Sequence, residues 1–152
     1  MLKPLLSLAR VDLAPSHRQP STSRVFAATL ASIAGSLLAD AAIVAISKAL
    51  MPSTKGYVHF QFADYAKLTV IGVVIACIGW PIVTRVCAAP RWLFLRLAVL
   101  VTLVLLLPDA YILYKGQPGD AVSVLMVMHV AIGLVTYSAL VRIAPISAVA
   151  MD

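Results

Sequence analysis

The chain has 152 residues, 62% of them hydrophobic and only 12% charged, and its mean hydropathy is +0.99. Soluble domains run at about 45 to 50% apolar and roughly 25% charged, which excludes that class. The apolar residues fall in long uninterrupted runs, which excludes disorder, a collagen-like fibre and a disulfide scaffold as well. The formal charge of +6 needs no nucleic acid: membrane insertion and attraction to anionic headgroups account for it, and no basic folded face is present.

A spanning helix takes about 20 mostly apolar residues, and four stretches qualify in chain order. The first is 25–47, closed by Lys48 and Pro52. The second is 68–88, with Pro81 inside it; neighbouring helices can satisfy the carbonyl that a proline frees, so a kink after Gly79 and Trp80 is expected rather than a break. The third, 92–113, begins after Pro90 and carries Pro108, a second expected kink. The fourth, 121–141, is bounded by Gly119 before it and by Arg142 and Pro145 after it. The connections are too short for a separate domain, so the fold expected is all-α, one four-transmembrane-helix bundle over 25–145.

Residues 1–24 read as a flexible cytoplasmic tail, in which Pro4 to Ala9 is too brief for a signal-peptide core and Leu5, Leu6 and Leu8 offer at most a surface dock. Residues 146–152 form a second, short cytoplasmic tail. With this topology eight of the basic residues, all seven arginines among them, lie on the side of the termini and four lysines, Lys48, Lys55, Lys67 and Lys115, on the other. The positive-inside rule then places both termini in the cytoplasm of a multi-pass cell (plasma) membrane protein.

Small residues mark packing faces: Ala28, Ala31, Gly35 and Ala39 on the first helix, and Gly72, Ala76 and Gly79 on the second. The third helix is apolar almost all round, with Leu97, Leu100, Val104 and Leu107 suited to lipid or to another protein. Cys77 and Cys87 are ten residues apart on one helix, roughly 15 Å and beyond disulfide reach, so they read as small apolar side chains. In the loop GYVHFQFADYAK, aromatic and polar residues alternate, which suits a strand-like lid or a short interfacial helix, with Phe60, Phe62 and Tyr65 as interface anchors.

Asp40, Asp109 and His129 stand out, because ionisable groups in hydrocarbon are rare and usually face a bundle interior. All three fall within roughly 5 to 12 Å of the outer interface. Ser32, Ser36 and Asp40 repeat at four-residue steps, Thr102 and Asp109 are seven apart, and His129, Gly133 and Thr136 follow i, i+4, i+7. The reading is a shared pocket opening outward, with Asp64, Tyr65, Tyr111 and Tyr114 at its rim. The same groups would serve simply to fix helix register, and Asp109 after Pro108 would serve simply as a cap. A proton or ligand site is the alternative. A metal site is expected to be absent, since the ligands come singly from three helices without paired spacing. No catalytic set is expected either: there is no Glu and no GxSxG, and the other histidines, His17 and His59, lie outside the spans. No cofactor is implied.

Leu106, Leu107, Pro108 and Asp109 end the third helix, Met128 and His129 sit within a fourth that closes on Val141 and Arg142, and the first helix is rich in small residues. On these residues the chain resembles an uncharacterised family of small four-helix integral membrane proteins from actinobacteria, a domain of unknown function, over about residues 24–145. The resemblance implies the topology and singles out Asp109 and His129; it implies no substrate, cofactor or catalytic residue. Short loops and the apolar third helix point to an accessory subunit of a larger cell-envelope complex, with membrane lipids and a larger complex or a homo-oligomer as partners. The other readings are a module binding or transporting a lipid or small hydrophobic ligand through the Asp/His pocket and, third, a membrane enzyme.

Overall fold

A computed structural model describes residues 17–148. Ser21 opens the first helix: its backbone is extended and its hydroxyl accepts the Arg24 N–H at 3.4 Å, satisfying one of the donors that a helix start leaves free. The helices are α1 (Thr22–Leu50), α2 (Phe62–Val86), α3 (Pro90–Tyr114) and α4 (Gly119–Ile143). All four are long and apolar enough to cross a membrane, and together they form the expected four-helix bundle of a multi-pass membrane protein. α1, α3 and α4 overrun the expected spans at both ends, because caps end a helix while hydropathy ends a span. The cap of α3 shows this: Gly116, at φ +86°, lets the Gln117 N–H reach the Ile112 carbonyl at 3.1 Å and the Gly116 N–H reach that of Leu113 at 3.0 Å.

α1 packs most extensively on α4 and next on α2, while α3 leans chiefly on α4. The α1–α4 approach is close: a Cβ built on Gly35 would stand 2.9 Å from Val135 Cγ1. The small stripe of the first helix is therefore used. The second stripe is not, since Gly72 and Gly79 have nothing within 4 Å of such a Cβ. α2 instead buries Thr69, Val73, Cys77, Trp80, Val83 and Thr84. Trp80 has an indole N–H that must find a partner once buried, and it finds the Ala144 carbonyl at 3.0 Å. The helix runs uninterrupted through Pro81, and α3 through Pro108.

Two apolar clusters divide the interior. One, at the end that carries the termini, holds Ala28, Val73, Cys77, Trp80, Phe94 and Leu140; the other, at the loop end, holds Val44, Phe60, Ala121, Val124 and Met128. Cys77 and Cys87 are both buried, and the Cys87 sulfur accepts the Ala89 N–H at 3.4 Å.

Of the aromatic stretch expected as a loop, residues 62–67 are helical and open α2, while the rest of the connection from α1 is two single 3₁₀ turns, Pro52–Thr54 and Val58–Phe60, and no strand. Residues three apart eclipse in such a turn, so Tyr57 and Phe60 meet edge to face at 5.1 Å. This corrects the expectation for Phe60: it is 2% exposed and belongs to the core, whereas Phe62, at 62%, is placed as an interface anchor would be. Tyr65 is half-buried against the loop-end cluster. The Ser53 hydroxyl donates to Asp120 Oδ2 at 2.7 Å and ties the loop to the start of α4.

Of the expected tails, residues 1–16 and 149–152 lie outside the described residues, as do Leu5, Leu6 and Leu8. The described part is tied down. β1 (His17–Arg18) pairs antiparallel with β2 (Ser147–Ala148). His17 Nε2 and Gln19 Nε2 lie 2.7 and 2.9 Å from the Thr84 carbonyl, which the end of α2 at Val86 leaves without its usual helical donor.

Candidate functional site

The buried face of α1 is polar where a core face is normally apolar: Ala28, Ser32, Ser36, Asp40, Val44 and Ser47. Ser32 and Ser47 return their hydroxyl protons to their own helix, on the Ala28 and Val44 carbonyls at 2.7 and 2.9 Å. A carboxylate has no such recourse, because it only accepts and the helix N–H groups are already spent. Asp40 is fully buried, and its donor comes from α2: the Thr69 hydroxyl reaches Asp40 Oδ2 at 2.7 Å.

The second carboxylate is handled differently. α3 buries just three residues, Pro90, Phe94 and Asp109. Asp109 Oδ2 lies 3.0 Å from His129 Nδ1 on α4, and the same nitrogen lies 3.0 Å from the Leu125 carbonyl one turn earlier. One ring nitrogen carries at most one proton, so it cannot donate fully to both oxygens. The Asp109 contact is thus one of charge and proximity, and Oδ2 has no completed hydrogen bond.

These contacts fix a common level. Gly35 opposite Val135 sets the antiparallel register of α1 and α4 and brings Asp40 level with His129; Thr69 meets Asp40 and Asp109 meets His129. Each helix therefore places one polar side chain in a single layer between the two apolar clusters, and His129 is within electrostatic reach of both carboxylates. Ser36 and Thr136 are buried one to two turns toward the terminal end, each with its hydroxyl oxygen unpartnered. Thr102 is half-buried; its Oγ1 would stand 2.8 Å from a Cβ on Gly133, so it marks the close approach of α3 to α4.

The expected rim does not assemble. Tyr111 and Tyr114 are 60% and 84% exposed on α3. Tyr111 follows Asp109 by two residues, about 200° round a helix, so it points the opposite way; it lies under the Lys115 ammonium at 5.5 Å. Asp64 pairs with Lys67 at 3.6 Å on the surface. Tyr65 does lie within reach of the Asp40 charge. The residue missed by sequence reasoning is Tyr57, whose hydroxyl is buried without a partner in the loop and close enough to Asp109 to feel its charge. Its one sequence signal is its place in the aromatic run, where period two was read and period three applies.

Burial and, second, the negative Asp109 raise the Tyr57 phenol above the ordinary tyrosine value. The phenolate absorbance that Tyr57→Phe removes is expected to appear above about pH 10. Asp109→Asn should bring it back only in part, since burial is the larger cause. The folded state holds that proton more tightly than the unfolded one, so the contribution to stability is present below about pH 10 and is lost as pH rises.

Neither of two clefts in the surface includes the layer. One, of about 280 Å³, lies between the loop ends of α1 and α4 and is lined by Ile43, Ile46, Ser47, Met51, Ser123, Val124 and Val127. The other, of about 210 Å³, lies at the terminal end between Pro20, Val25, Pro81 and Arg85. Among the described residues no group of three His, Cys, Asp or Glu converges as a metal-binding set.

A model of the family of unknown function DUF6069 matches residues 15–145. The chain belongs to DUF6069. The matched segment takes in all four helices and β1, so the site layer lies wholly within the DUF6069 domain. No curated protein and no solved structure matches the chain.

Proposed function

We propose that this DUF6069 protein is an accessory subunit of a larger complex of the cell membrane, with both termini in the cytoplasm. The observation that carries this reading is His129. Its side chain is 27% exposed, about 15 Å along α4 from the loop-end start of that helix. Imidazole facing hydrocarbon at that depth is costly, and such groups pair with protein or water. The neighbouring α3 supports the reading, with most of its surface, including Leu100, Val104 and Leu107, left uncovered by the bundle. A partner helix laid over this outer face of α3, which points away from α4, would cover it.

Purification in mild detergent followed by native mass spectrometry tests this. A stoichiometric membrane partner is expected, crosslinking to a photoreactive group at position 100 and lost when Leu100 and Val104 are replaced by Trp. A chain that stays alone, with no crosslink from α3, refutes the reading. The second reading, a module for a lipid or small hydrophobic ligand, is favoured by the apolar cleft between α1 and α4, which has the width and lining for an acyl chain. A solitary chain that retains one lipid species, released by Val124→Trp, is its signature.

A further inference from the structure

Four side-chain oxygens in the polar layer or within two turns of it are left unpaired. Asp40 Oδ1, Asp109 Oδ2, Ser36 Oγ and Thr136 Oγ1 are buried without a completed hydrogen bond, and Asp40 is wholly enclosed. Buried polar atoms are nearly always satisfied, and exceptions mark an ordered water, an ion or a reactive group. Two carboxylates with one neutral imidazole would leave two negative charges in hydrocarbon. A proton or an ordered water is small enough to neutralise or bridge them inside so enclosed a layer.

We propose that Asp109, His129 and Asp40 form a membrane-embedded proton-binding site, in which a proton passes between His129 Nδ1 and Asp109 Oδ2 and ordered water bridges the remaining acceptors around Asp40. The geometry at Nδ1 gives two arrangements with equal numbers of hydrogen bonds. In one, Nδ1–H donates to the Leu125 carbonyl and Asp109 is ionised. In the other, Asp109 carries the proton and donates to a bare Nδ1, while the Leu125 carbonyl keeps its ordinary helical N–H. The two are connected through the imidazolium. A proton taken up at Nε2, which has no partner among the described residues, makes the ring cationic. The Nδ1–H bond then breaks, an O–H bond forms at Asp109 Oδ2, and a neutral ring protonated at Nε2 remains. The partly exposed edge of His129 is the entry point.

The groups that face this site are few. α1 contributes Asp40, α2 Thr69 and Tyr65, α3 Asp109, α4 His129, and the loop Tyr57. Lys48, two turns from Asp40 on α1, directs its ammonium to the Phe60 carbonyl at 3.5 Å rather than into the layer. The proposal does not depend on the accessory-subunit reading, because it concerns groups within one chain.

The test uses full-length wild-type protein in lipid nanodiscs with ¹⁵N-labelled histidine. Imidazole NMR signals and the infrared carboxyl stretch are followed over the same pH series, with the His129 signal assigned by its loss in His129→Gln. A carboxyl band and the His129 signal that change together, with one midpoint, are expected. Asp109→Asn should abolish that band and, with it, the linked change of the His129 signal. Separate, unlinked transitions would mean that the pair only holds α3 against α4 and would overturn the proposal. A carboxyl band that responds to replacing sodium by choline at fixed pH would overturn it in favour of a metal cation. If Asp109→Asn does not fold, the linked transition in the wild type decides the matter alone.

Discussion

Trp80→Ala is expected to lower the stability of the bundle by about 3 kcal/mol, near the bottom of the range for losing a buried Trp. Trp80 is fully enclosed. Its ring meets Phe94 edge to face at 5.0 Å, and Phe94 stacks on Tyr137 at 6.0 Å, so three helices share one aromatic contact. In a bilayer the transfer of an apolar side chain from lipid to the bundle interior contributes little, because lipid is as apolar as the core. What Trp80→Ala removes is dispersion contact across a void that lipid cannot enter, together with the donor to the Ala144 carbonyl. Trp80→Phe keeps most of the ring and loses the N–H, so about 1 kcal/mol is expected. Reversible unfolding by SDS in mixed micelles measures both. If Trp80→Phe cost as much as Trp80→Ala, the hydrogen bond and not the packing would hold this end together.

The second large effect is an asymmetry. Thr69→Val preserves shape but removes the donor to Asp40 Oδ2, leaving a buried carboxylate with no partner on either oxygen. The expected cost is about 2 kcal/mol, within the range for stranding a buried polar group. Asp40→Ala removes the charge itself, and the Thr69 hydroxyl is then free to turn to the Tyr65 carbonyl of its own helix. That change should fall within about 1 kcal/mol of the wild type, because it leaves no buried charge without a partner. The double variant should resemble Asp40→Ala rather than add to it. The same unfolding assay decides: an Asp40→Ala loss larger than that of Thr69→Val would show that Asp40 stabilises the bundle through contacts beyond Thr69.

Much of the site was legible in the chain, and the illegible part has a common cause. Asp40, Asp109 and His129 announce themselves because charge in an apolar run is conspicuous, and their similar depths follow from counting residues along helices. Their partners do not announce themselves. Thr69 is one hydroxyl among several, and only the packing of α2 on α1 turns it toward Asp40. Tyr111 and Tyr114 were near Asp109 in sequence yet lie round the helix from it, while Tyr57, far away in sequence, arrives over the layer because two 3₁₀ turns fold the loop inward. The second small-residue stripe failed for a related reason: Gly72 and Gly79 permit close approach, but nothing obliges a neighbour to use it, and the indole N–H of Trp80 sets the buried face of α2 instead.

By itself the sequence determined the number of helices, their limits to within six residues, the alternating direction of the chain and the presence of ionisable groups at membrane depth. All of these depend on hydropathy and on residue counts along single helices, and water, lipid and the helix rise impose them without reference to any neighbour. The tertiary structure alone decided which face of α2 is buried, that α4 stands between α1 and α3, and that His129 touches Asp109 while Thr69 serves Asp40. Lipid and protein interior are equally apolar, so where a helix such as α2 lacks a polar stripe the chain carries no hydropathy contrast from which a buried face could be read. Close packing and the need to pair buried polar groups make that choice, and both exist only once the helices meet.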